Sequence, residues 1–85
     1  MDYAIRTPAQ LGQVLKGLRR DRRLTQAAVA ARMGLVQSKV STLEADPGKT
    51  SVDRFFRLLS ALGMELVLRE KGGTTNARGR KKPLW

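Results

Sequence analysis

Eighty-five residues, 41% apolar and only 5% aromatic, suffice for one small domain. A chain of this length buries roughly 60% of its unfolded surface, which argues against a spacious enclosed active site. The absence of cysteine and histidine excludes disulfides, thiolate metal sites and histidine-based acid–base or zinc chemistry. A formal charge of +10, from 17 basic against 7 acidic residues, points instead to a polyanionic partner, above all nucleic acid.

The first ten residues, MDYAIRTPAQ, lack the charged start and apolar stretch of a signal peptide, and no apolar run approaches the roughly 20 residues that span a bilayer. The expectation is a soluble cytoplasmic chain that does not engage membranes. The first helix should open at Thr7, with Pro8 at its first position and Gln10 completing a capping box. Leu11, Val14, Leu15 and Leu18 repeat at helical spacing and define its buried stripe. Arg22 and Arg23 suit the negative end of its dipole.

A second cap at Thr25 starts QAAVAARM, which should stop at Gly34 in a left-handed conformation. A third helix follows through Gln37, Val40 and Leu43 to Ala45, and Asp46, Pro47 and Gly48 form a turn. Thr50 with Asp53 offers another capping box before FFRLLSAL, which Gly63 ends.

From Met64 to Arg69 the period changes. Met64, Leu66 and Leu68 alternate with Glu65, Val67 and Arg69, a strand pattern whose backbone needs a partner. Two partners are available: the Tyr3, Ala4 and Ile5 segment, or the same strand of a second subunit. The second is favoured, because a two-fold pair builds a homodimer with no further material and makes Met64, Leu66, Val67 and Leu68 dimer contacts. The composition breaks after Glu70. Residues 1–70 therefore read as the folded domain, and residues 71–85, KGGTTNARGRKKPLW, as a basic tail, disordered when free. The body and the tail hold equal halves of the charge excess, the tail through Lys71, Arg78, Arg80, Lys81 and Lys82.

The segment Thr25 to Leu43 carries the most information. Two short helices meet at a steep angle through a tight turn when the first has a small inner residue, the turn residue tolerates positive φ, and the second returns an apolar knob. Ala30, Gly34 and Val40 meet these demands, with Val29 and Leu43 adding core contacts. That is the steric signature of a helix-turn-helix, whose second helix enters the major groove. With Val40 and Leu43 inward, Gln37, Ser38, Lys39, Ser41 and Thr42 remain as candidate base contacts. Gln37 suits adenine, Lys39 guanine or phosphate, and the hydroxyls either class of contact. Each could equally be a solvated surface residue.

Gln26 stands at a helix N-terminus, where side chain and backbone N–H can grip a phosphate, and Arg22, Arg23 and Lys49 flank it. For the two arginines, dipole complementation or plain solubility is an equal alternative. Arg19, beside the core stripe, is better placed for a partly buried ion pair with Glu44.

At Thr25, Gln26, Ala30, Gly34, Leu43 and Glu44 the chain resembles the Xre/Cro-repressor type of helix-turn-helix. The wider order resembles the HipB-type antitoxins of HipBA toxin–antitoxin pairs: a Pro-capped helix, the helix-turn-helix, an Asp-Pro-Gly turn, a Phe-Phe helix, a strand and a tail ending in tryptophan. The fold implied is all-α, a four- to five-helix Cro/repressor-like domain with one short strand, Met64–Arg69, pairing across a dimer. The resemblance also implies the Arg19–Glu44 pair, a palindromic double-stranded operator in the chain's own promoter, and neutralisation of a HipA-type serine/threonine kinase. It further implies that Trp85, with Leu84 beside it, docks on that toxin.

Arg23 stands where many relatives have glycine, so the turn after the first helix is expected to be strained or built differently. The alternative reading is a stand-alone, phage-like regulator whose tail adds non-specific DNA affinity. An enzyme is not expected, for want of paired carboxylates, an activated nucleophile or a phosphate-binding glycine loop. No cofactor, metal or small-molecule substrate is anticipated.

Overall fold

The computed structural model describes residues 2–71. Helix α1, Pro8–Asp21, begins as its sequence dictates: the Thr7 hydroxyl accepts from the Gln10 amide at 3.1 Å, and the Gln10 side chain accepts from the amides of Thr7 at 3.1 Å and Arg6 at 2.7 Å. Helix α2, Gln26–Met33, is capped by Thr25, whose hydroxyl accepts from the Ala28 amide at 3.0 Å. It ends at Gly34 with φ of 73°, a left-handed conformation that glycine adopts without strain. Helix α3 covers Gln37–Ala45, and after a single 3₁₀ turn, Pro47–Lys49, helix α4 covers Val52–Ala61.

The core joins all four helices. Leu15 and Leu18 of α1 meet Val29, Ala30 and Met33 of α2, Val40 and Leu43 of α3, and Leu58, Leu59 and Leu62 at the end of α4. Helix α3 packs on both α1 and α2, so the two apolar knobs Val40 and Leu43 fix which face of α3 turns outward. Gly12 permits the closest approach: a Cβ there would collide with the Glu44 carbonyl oxygen, so α1 meets the end of α3 backbone to backbone. No helix among the described residues is long and apolar enough to cross a membrane.

One local expectation is corrected. The cap of α4 is Ser51, whose hydroxyl accepts from the Arg54 amide at 3.0 Å, and not Thr50 paired with Asp53. The 3₁₀ turn sets the phase here, because Thr50 closes that turn by donating its amide to the Pro47 carbonyl at 3.3 Å. The Thr50 hydroxyl is buried with no partner among the described residues.

The Met64–Arg69 segment, expected to pair with a second subunit, forms no strand within the single chain. Met64 is held by its amide, which donates to the Leu59 carbonyl at 2.8 Å, but Leu66, Val67 and Leu68 are 50, 72 and 89% exposed. The segment flanks residues 2–6 across a groove floored by Leu11, Val14 and Phe55. Arg69 meets Asp2 at 3.3 Å, yet no backbone hydrogen bond joins the two segments. A strand needs a ladder, and one chain does not provide it here.

Candidate nucleic-acid interface

The outward face of α3 rests on a buried polar junction. Arg19, at the C-terminal end of α1, donates from Nε to Glu44 Oε2 at 2.6 Å and from a terminal nitrogen to Glu44 Oε1 at 3.2 Å. Its other terminal nitrogen donates to the Leu24 carbonyl at 2.9 Å. The two side chains are only 11 and 4% exposed, so this bidentate pair is shielded from solvent and ties α1 to α3 as expected. Gln26 joins it, donating from Nε2 to Glu44 Oε1 at 3.1 Å, and Gln37 Nε2 lies 3.4 Å from Gln26 Oε1. The result is a chain of polar contacts from the interior of α1 to the first residue of α3.

Gln37, Ser38, Lys39, Ser41 and Thr42 are all exposed, and they lie together on the face left by burying Val40, Leu43 and Glu44. The Thr42 hydroxyl donates to the Ser38 carbonyl at 3.0 Å, which leaves its oxygen to act as an acceptor. The candidate backbone contacts differ among themselves. Gln26 is half-buried and already engaged with Glu44. Arg22 donates to the Leu18 carbonyl at 3.3 Å and to Met64 Sδ at 3.2 Å, so it serves the end of α1 and the start of the C-terminal segment.

Arg23 is exposed and has φ of 56°, the only non-glycine residue with positive φ among those described. This bears out the expectation of an unusual turn. Lys49 is exposed and 3.9 Å from Asp46. Leu84 and Trp85 lie outside the described residues. Among the described residues no group of three or more His, Cys, Asp or Glu side chains could hold a metal.

Two features escaped the sequence reading. One is the link between Gln26 and Gln37, which joins residues 11 apart and depends on how the helices pack. The other is Val36, the N-cap of α3, which makes no side-chain cap bond and is 63% exposed. Its only sequence signal is an apolar residue where the other helices have Thr or Ser.

The helix-turn-helix domain family matches residues 10–71. Antitoxin HipB of Escherichia coli O6:H1 is 33% identical over 64 residues, covering 75% of this chain and 68% of that protein. The chain belongs to the HipB antitoxin family. Antitoxin HipB of Escherichia coli K12 is 31% identical over 64 residues, covering 75 and 73% of the two chains. A HipB chain solved in a HipB–O1–O2 complex superposes with a TM-score of 0.76 at 29% identity, covering 81% of this chain and all of that one. A chain of a HipA–HipB–O2–O3 complex gives the same TM-score and identity, with coverage of 81 and 97%. Like its HipB relatives, the chain is a DNA-binding helix-turn-helix antitoxin and not an enzyme.

Proposed function

We propose that this HipB-family protein binds a palindromic operator in its own promoter as a homodimer and neutralises a HipA-type serine/threonine kinase. The observation that carries the DNA half is the exposed polar face of α3, held in register by the Arg19–Glu44–Gln26 junction. HipB relatives solved with O1, O2 and O3, and together with HipA, support both partners.

Gln37 is the leading base contact. With one Nε2 hydrogen directed at Gln26 Oε1, its second Nε2 hydrogen and its Oε1 remain for the N7 acceptor and N6 donor of adenine. Lys39 reaches guanine or phosphate, and Ser38, Ser41 and Thr42 complete the face. Arg23 and Lys49 fasten to the phosphate backbone, Gln26 offers its backbone N–H at the start of α2 because its side chain is held by Glu44, and Arg22 is a weaker contributor because its guanidinium is already engaged. In the dimer the Met64–Arg69 segments pair across the two-fold axis, covering Leu66, Val67 and Leu68 and placing the two α3 helices about 34 Å apart. Residues 71–85 act as a separate tail in which Leu84 and Trp85 anchor the kinase, tryptophan being the residue most enriched at interface hot spots.

Gel-shift titration on the promoter fragment tests the first half. Gln37→Ala should weaken binding by more than about 1 kcal/mol, and only on sequences carrying the recognised base. Wild-type affinity should fall on the order of a thousandfold between 50 and 200 mM salt if roughly 6–10 phosphates are neutralised. An unchanged sequence profile for Gln37→Ala removes it from the base-reading set. Co-expression with the product of the neighbouring gene tests the second half: a kinase should co-purify, and deleting Leu84 and Trp85 should release it. Full retention by the truncated chain refutes the anchor.

A further inference from the structure

We propose that Val36 is a specificity residue that reads the 5-methyl group of a thymine beside the base contacted by Gln37. This rests on the DNA-binding reading above and adds a residue and a base to it. Among the described residues, three of the four helices open with a hydroxyl cap: Thr7, Thr25 and Ser51 each accept a backbone amide at 3.0 or 3.1 Å. Helix α3 alone opens with an aliphatic residue that makes no such bond. Valine is among the poorest N-caps, because it leaves the first amides of the helix without a side-chain acceptor.

Nor does packing within the chain compensate. Val36 is 63% exposed, while its neighbour Leu35 is the residue turned to the core. Local structure and burial therefore both argue against valine at this position.

The location explains what it gains. The N-terminal residues of the second helix are those that reach base edges, and Val36 immediately precedes Gln37, which is exposed and tied to the polar junction through Gln26. The apolar feature of the major-groove floor is the thymine C5-methyl, and a small branched aliphatic side chain is suited to cover it. Covering one methyl is worth about fourfold in affinity per half-site, and roughly tenfold or more over a symmetric dimer site.

The test uses the full chain and a duplex selected from a random pool by the wild-type protein. Each thymine is then replaced in turn by deoxyuridine, which deletes only the methyl. Wild type should lose about fourfold at one position per half-site, adjacent to the adenine that Gln37→Ala ceases to prefer. Val36→Ser should bind without that uridine penalty. It should also melt at a temperature equal to or above wild type, because serine restores a cap, so loss of methyl sensitivity cannot be attributed to misfolding.

Enrichment of a sequence on which uridine costs nothing at every position overturns the inference and leaves the DNA-binding reading intact. So does a Val36→Ser protein that keeps the uridine penalty. Failure to enrich any sequence overturns both.

Discussion

The Arg19–Glu44 junction and the Met64–Arg69 segment invert the usual distribution of polarity. The first places two opposite charges inside and satisfies them with one another, with Leu24 and with Gln26. The second places Leu66, Val67 and Leu68 outside. A buried ion pair is costly to desolvate, and it persists here because both groups find geometrically good partners in the same chain. An exposed apolar run with unpaired backbone is complete only when a second surface covers it. Polar closure within one chain thus fixes the outward face of α3, and apolar incompleteness is what the proposed dimer would cover.

The largest effect comes from opening the junction. Glu44→Ala leaves the Arg19 guanidinium buried without its carboxylate and removes the acceptor for Gln26, a loss of about 3–5 kcal/mol. Small domains rarely exceed about 5–15 kcal/mol in total, so urea unfolding should begin at much lower denaturant or the helices should be lost outright. Arg19→Met combined with Glu44→Leu should recover much of that loss, because the buried charge disappears from both sides. A single variant costing no more than a surface pair, below about 1 kcal/mol, would contradict the shielding on which the comparison rests.

The next effect falls on the other region. Leu66→Glu with Leu68→Glu should leave helical circular dichroism and the melting of the isolated body almost unchanged, since neither side chain is buried in the chain. Dimer association should weaken by at least about a hundredfold, given about 1.5–3 kcal/mol for each leucine buried. Sedimentation equilibrium across protein concentrations measures both species. A double variant that remains dimeric places the dimer contact elsewhere, and one that unfolds shows that the segment belongs to the core of its own chain.

How much of this was legible in the sequence follows the same division. Caps and turns at Thr7, Thr25 and Gly34 depend on the chemistry of a few adjacent residues, and the structure realises each of them. The Arg19–Glu44 pair was also readable, because helical periodicity places one residue beside the core stripe and the other at the end of the facing helix. Thr50 and Ser51 are consecutive residues that can both cap a helix, and the preceding 3₁₀ turn, which takes up Thr50, leaves Ser51 as the cap. The Gln26–Gln37 contact depends on the interhelical angle, which no local pattern encodes. Strand alternation at Met64–Arg69 describes a capacity for pairing, which the single chain does not fulfil.

The smallest effect concerns the hinge between α1 and the recognition unit. Arg23 holds φ of 56°, where a Cβ crowds the backbone and where glycine rests without penalty. Arg23→Gly relieves that crowding but adds freedom to the unfolded chain, so the net gain should be only about 0.5–1 kcal/mol. The arginine side chain is exposed, and its loss removes no buried contact that could mask the gain. If Arg23 also grips a phosphate, the same variant should bind operator more weakly while melting higher, and the dependence of log affinity on log salt should fall by about 1 per protomer. A stabilised protein with an unaltered salt slope would assign Arg23 to the hinge alone, and a destabilised one would show that its side chain supports the turn after α1.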